Sequence, residues 1–187
     1  MWREEPLKRV AVKNRFLRPL RVRQFHSFGA QSLIDHPAWL YGTHHISIGQ
    51  QVIILRGAWL SVERTAWDKP DPALTIEDGV GIRNGCTISA AESIVIEQHV
   101  AMAGYVSLID SKHTWDAGHP NPIWNPLETA PIRIGPSTFI GERVTVTAGT
   151  DIGERCFIGA NATVSGKIPD HSIVLGNPGR IVGSTRT

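Results

Sequence analysis

Little in this 187-residue chain marks it for a membrane, an oxidising compartment or a nucleic acid. It has only two cysteines, Cys86 and Cys156, too few for a disulfide framework in a chain of this size. No stretch approaches the ~18 uninterrupted apolar residues of a membrane span. The N-terminus is charged but lacks the apolar stretch and small-residue cleavage site of a signal peptide. Together these absences give the expectation of a cytoplasmic, reducing location. Net charge is only +2 and 19% of residues are charged, so composition also excludes a nucleic-acid binder. The charge is nonetheless uneven. Residues 1–25 hold eight basic residues against Glu4 and Glu5, a local +6. Such an N-terminal arm, assigned to 1–27, is either a solvated segment beside the fold or a weak contact to an anionic surface.

Helical periodicity is missing too, and a different period takes its place. From Ile134 onward an aliphatic residue recurs every six: Ile134, Ile140, Val146, Ile152, Ile158 and Val164. Four positions after each stands a small or β-branched residue, namely Thr138, Val144, Thr150, Cys156, Ala162 and Ile168. Shorter runs upstream obey the same rule: Ile48, Ile54 and Leu60; Ile76, Ile82 and Ile88; Ile96, Met102 and Leu108. Phe28 and Ile34 open the pattern, and longer breaks fall at 61–75 and 110–131.

A helix needs apolar residues at three- and four-residue steps, and a simple strand alternates throughout. Two inward positions followed by a glycine-tolerant corner describe a short strand that turns and repeats. Three such sides close a triangular coil, and stacked coils bury a continuous aliphatic column. The sequence therefore predicts an all-β parallel β-helix over 28–175, with a loop inserted at 110–131 after the third complete coil. An exit segment follows at 176–187. Both cysteines fall at the inward position four after an aliphatic, which suits small buried hydrophobes better than nucleophiles.

On these residues the chain resembles the hexapeptide-repeat acyltransferases over about Phe28 to Val182. The segment from Ile134 to Val182 is similar to the closing coils of maltose, galactoside and exopolysaccharide acetyltransferases. The resemblance implies a left-handed helix, a homotrimer with sites between subunits, and acetyl-coenzyme A as acyl donor, with no metal. It also makes the outward Trp59, Phe139 and Phe157 candidates for faces buried between subunits.

The loop that opens Asp110-Ser111-Lys112-His113 matches the place where that family carries its catalytic histidine, preceded three residues earlier by aspartate. The chemistry explains the requirement. A sugar hydroxyl does not ionise near neutral pH, so it must lose its proton as it attacks the thioester. Neutral imidazole, titrating near ~6.5, is matched to that task. A carboxylate on the other ring nitrogen would fix the tautomer; Asp110 leads Asp116 and Glu128 for this role. His44, His45, His99 and His119 are read as surface or interface residues.

By the same resemblance the coenzyme runs along the last coils. Backbone at Gly141, Ala148 and Ala160 would line the pantetheine groove, with Ser165, Lys167 and Arg180 near the adenosine phosphates. The alternative for these last three is ordinary solvated surface. The chain reads Ser165-Gly166-Lys167 where family members often carry Thr-Lys-Asp, which displaces the lysine by one. For a saccharide acceptor the candidates are Asn84, one place out of register, and Trp115, whose indole suits a sugar face. Trp124, Trp39 and Tyr41 are more remote candidates for stacking. Three other readings compete: an acetyltransferase for an amine or antibiotic, a γ-carbonic-anhydrase-like metalloenzyme using His113 and His119, and a non-catalytic scaffold.

Overall fold

The computed structural model describes residues 19–68, 72–116 and 118–186. The basic residues of the expected arm from Arg3 to Arg18 lie outside them, while Arg21 and Arg23 sit in a helical turn at 19–24. From Ser27 the chain winds through short strands that fall in rotation on three faces. The first face carries seven parallel strands, from Ser27–Phe28 to Lys167–Ile168. The second carries seven more, from Leu33–Ile34 to Ser172–Leu175, and Arg180–Ser184 adds antiparallel at its end. The third carries six, from Trp39–Tyr41 to Thr163–Val164.

Strand register turns the six-residue spacing into three internal columns. Ile48, Ile76, Ile96, Ile134, Ile152 and Ile168 pair along the first face. Ile54, Ile82, Met102, Ile140, Ile158 and Val174 pair along the second. Leu60, Ile88, Leu108, Val146 and Val164 pair along the third. All of these side chains are buried in one continuous core. Truncating one of them to alanine should cost about 2–5 kcal/mol, because a stacked column cannot collapse around a gap.

The corners follow a fixed backbone rule. Between the first and second faces, Gln31, Gln51, His99, Ser137, Arg155 and His171 all take a left-handed φ. Gly79 fills the same place in one coil, where a Cβ would meet the His99 ring at 2.4 Å. Left-handed backbone disfavours most side chains, so its recurrence shows that coil closure outweighs local preference.

Two expectations need correction. Leu40 pairs with Leu60, so Ser27–Tyr41 forms a full coil and the insertion leaves the fourth coil, not the third. The spacing is hidden because the 3-10 turn Thr43–His45 lengthens the step from Leu40 to Ile48. Ile168, expected at the second inward position, instead stands under Ile152 in the main column. Ser165 and Gly166 turn that corner directly, with Gly166 at φ 73°, and shorten the step from six residues to four.

The helical turn at 19–24 closes the open end. Arg21 is 4% exposed, donates from Nη2 to the Ile34 carbonyl at 3.2 Å and lies over the Phe28 ring. Among the described residues no helix is long and apolar enough to cross a membrane.

Candidate active site

The edge joining the third face to the next coil carries the long excursions of the chain. In successive coils its described residues are 42–45, 63–68 with 72–73, 91–93, and 110–116 with 118–131. The last begins as a hairpin in which Ser111–His113 pairs antiparallel with Leu127–Thr129, setting His113 opposite Leu127. The hairpin carries His113 off the prism into solvent. Lys112 and Glu128 close its exposed side with an ion pair at 2.8 Å.

His113 is oriented by a carbonyl. Its Nδ1 lies 3.3 Å from the main-chain oxygen of Asn125. A carbonyl only accepts, so this bond requires the proton on Nδ1 and, in the neutral ring, selects the tautomer whose lone pair is on Nε2. Asn125 is itself 5% exposed and fixed from several sides. Its Nδ2 donates to the Thr114 carbonyl at 2.7 Å, and its Oδ1 accepts from the His119 amide at 3.1 Å. The Thr114 amide donates to Pro126 at 3.1 Å and closes the mouth of the loop.

The expectation that Asp110 orients His113 is therefore corrected. Asp110 is fully buried and turned the other way. Its Oδ1 accepts from the Ala91 amide at 2.6 Å, and its Oδ2 from the Glu92 and Ser93 amides at 2.8 Å each. The carboxylate thus closes the corner of the coil beneath. Burial pushes its pKa above the usual aspartate value, against the pull of the three amides.

The other expected site residues divide between two edges of the prism. Ala148 and Ser165 lie on the edge that carries the His113 loop. Gly141, Ala160 and Asn84 lie on the opposite edge of the third face, where the second face turns into it. Lys167 projects from the first face beside Asp151, and Arg180 lies exposed in the terminal strand. Within one chain, then, Asn84 and His113 stand on opposite edges. Gly141 has a packing reason of its own, since a Cβ there would meet the Ala160 nitrogen at 2.6 Å. Trp115 is 77% exposed, with the Lys112 ammonium 5.8 Å from its ring centroid.

Both cysteines point inward. Cys86 donates to the Ala103 carbonyl and Cys156 to that of Pro169, each at 3.2 Å, and burial raises both thiol pKa values. Phe139 and Phe157 stack on the second face at 5.5 Å, whereas Trp59 stands on the third. His113 and His119 bond different carbonyls of the loop, Asn125 and Asn121. Among the described residues no three His, Cys, Asp or Glu side chains gather into a metal-holding group.

Residues 131–166 match the family model described as bacterial transferase hexapeptide (six repeats). The probable acetyltransferase Rv3034c of Mycobacterium tuberculosis is 33% identical over 132 residues, covering 67% of this chain and 42% of that protein. The putative lipopolysaccharide biosynthesis O-acetyl transferase WbbJ of Escherichia coli is 33% identical over 112 residues, covering 56% and 57%. The chain thus spans about half the length of these curated relatives. Among solved structures, the N-acyltransferase AntD of Bacillus cereus, in complex with dTDP and 3-hydroxybutyryl-CoA, superposes with a TM-score of 0.76. It is 21% identical and covers 89% of this chain and 87% of its own. The hexapeptide-repeat acetyltransferase VCA0836 of Vibrio cholerae, complexed with acetyl-coenzyme A, gives 0.64 at 20% identity, covering 98% and 89%. Residues 131–166 thus carry the bacterial transferase hexapeptide repeat, and the stacked coils and these likenesses give the chain the left-handed β-helix fold of the hexapeptide-repeat acetyltransferases.

Proposed function

We propose that this protein transfers an acetyl group from acetyl-coenzyme A to a hydroxyl of a saccharide, with His113 as general base. The observation that carries the proposal is the bond between Nδ1 of the exposed His113 and the Asn125 carbonyl, which in the neutral ring puts the proton on Nδ1 and leaves the Nε2 lone pair to act as base. In the reaction, Nε2 takes the hydroxyl proton as the sugar oxygen attacks the thioester carbonyl. The tetrahedral oxyanion is held by main-chain N–H groups. As it collapses the C–S bond breaks, and the imidazolium returns its proton to the departing thiolate. No acyl-enzyme is needed, in keeping with the inward cysteines.

The site is completed between copies in a homotrimer. Asn84, Gly141 and Ala160 stand on one edge of the third face and His113, with Ala148 and Ser165, on the other, so in this reading the first three come from one copy and meet the other edge of its neighbour. The name of the WbbJ relative supports a cell-surface glycan as acceptor, and acetyl-coenzyme A in VCA0836 supports the donor. An amine acceptor is the second reading, favoured by the likeness to AntD. The deciding measurement is thiol release from acetyl-coenzyme A with saccharides and amino sugars, beside His113→Ala. The substitution should cost about 10²–10⁴-fold in kcat. Unchanged turnover would remove the base assignment, and acylation confined to amino sugars would replace the hydroxyl by an amine.

A further inference from the structure

We propose that the outer side of the third face is an acceptor track that holds a glycan chain of several sugar units, not a lone sugar. This deepens the saccharide reading of the His113 site and rests on it.

The chemistry changes in order along this face. Register stacks Trp39, Trp59, Thr87 and Ser107 in one outward column, and Tyr41, Ser61, Ser89 and Ile109 in the next. At the far end are planes. The Trp39 and Trp59 rings stack with centroids 6.4 Å apart and 22° between planes. They remain 54% and 48% exposed. Tyr41 lies 6.2 Å from Trp67 on the adjoining edge, where Arg64 donates to the Tyr41 hydroxyl at 3.2 Å and covers Trp67 at 5.7 Å. Nearer the loop are the half-buried hydroxyls of Thr87, Ser89 and Ser107; Ser89 donates to Glu63 at 3.4 Å and is held from behind by the buried Ser61, which donates to it at 3.1 Å.

A pyranose has an apolar C–H face and a rim of hydroxyls. Exposed aromatic planes bordered by a guanidinium, a carboxylate and hydroxyls match both parts. The second face has another character. Its apolar groove of about 550 Å³, with Ile53, Ala101 and Phe139 in its walls, resembles a surface for a second protein copy.

Distance gives the length of the ligand. Adjacent strands lie about 4.8 Å apart. Trp59 is two strands below Ser107, or about 10 Å, and Trp39 is three below, or about 14 Å. The His113 hairpin leaves from the same coil as Ser107. A sugar presenting its hydroxyl to His113 would leave the indoles to units further along the chain. Binding energy from such remote units can be used to orient the reacting one.

Two measurements on the full-length protein test this. In the first, tryptophan fluorescence is titrated with a tetrasaccharide and its monosaccharide, without coenzyme, in wild type and in Trp39→Ala/Trp59→Ala. Wild type should bind the tetrasaccharide at least about tenfold tighter than the monosaccharide, and the variant should lose that difference. In the second, acetyl transfer should show a raised KM for the tetrasaccharide in the variant, with monosaccharide turnover unchanged. Equal binding of both sugars by wild type would overturn the track. So would a variant that keeps its preference, changes its oligomeric state in sedimentation, or loses only binding to anionic vesicles. Loss of the tetrasaccharide preference alone supports it. Tetrasaccharide binding without thiol release from any acceptor would sink the transferase reading and leave the glycan track standing.

Discussion

His113 Nδ1 and the main-chain oxygen of Asn125 meet at 3.3 Å across a loop that separates them by twelve residues. The side chain that sets the imidazole is thus one that never touches it. Asn125 works through the loop, donating to the Thr114 carbonyl just past the first strand of the hairpin and accepting from the His119 amide further into the loop.

That arrangement makes Asn125 a positioning residue with a separable signature. Asn125→Ala removes both side-chain bonds but keeps the carbonyl, now unanchored. Because sub-ångström placement of a base matters, kcat should fall between about 10-fold and 100-fold. The KM for acetyl-coenzyme A should stay put, and the coil should melt within a few degrees of wild type. A drop in stability matching the drop in rate would mean that Asn125 only holds the loop together.

Asp110 should behave oppositely. Removing its carboxylate in Asp110→Ala strands the amides of Ala91, Glu92 and Ser93 and should cost about 2–5 kcal/mol in chemical denaturation. The protein that remains folded should keep its turnover. The sign with pH follows from the burial that lifts this carboxyl. The folded state binds the proton more tightly than the unfolded chain does. The resulting stability is complete below the usual aspartate range and is lost as pH rises through the folded value. Melting temperatures across acid pH should show that slope in wild type and not in Asp110→Asn. A slope of the opposite sign would show that the amides outweigh burial.

The contrast between these residues shows what was legible in the sequence. Most of the three aliphatic columns could be read from spacing alone, because a stacked coil has no freedom to place Ile134 or Ile140 elsewhere; Leu40 and Ile168 escaped because the steps beside them are eight and four residues long, not six. Strand alternation also carried the answer for Asp110. Leu108 points inward, Ile109 outward and Asp110 inward, away from the hairpin that bears His113. Family spacing put the aspartate beside the histidine; the period of two puts it behind the wall. The partner of His113 could not be named in advance, since every residue has a carbonyl. The Asn-Pro pairs at 121–122 and 125–126 did mark the turns that aim this one.

The two thiols give a simple chemical check. Burial raises both pKa values, and each sulfur is directed at a carbonyl within the coil. A disulfide-exchange reagent should therefore find no fast-reacting thiol in the folded protein and both in denaturant. Acetylated protein should be absent after incubation with acetyl-coenzyme A alone. Rapid labelling of Cys86 or Cys156 in the native state, or a stable acetyl-enzyme, would reopen a covalent route.

The expected coenzyme groove is tested by separating packing from contact. Gly141→Ala places a Cβ at 2.6 Å from the Ala160 nitrogen and 2.8 Å from the Ile158 oxygen, backbone atoms that cannot yield without moving the next coil. It should destabilise by about 1–3 kcal/mol, whatever its effect on coenzyme. Lys167 makes no such demand: it is exposed on the first face, aligned with Asp151. Lys167→Ala should leave stability within about 0.5 kcal/mol of wild type. If its ammonium meets the coenzyme phosphates, KM for acetyl-coenzyme A should rise several-fold, and more at low than at high salt. A KM that does not move at either salt concentration removes Lys167 from the coenzyme site and leaves it a solvated surface charge.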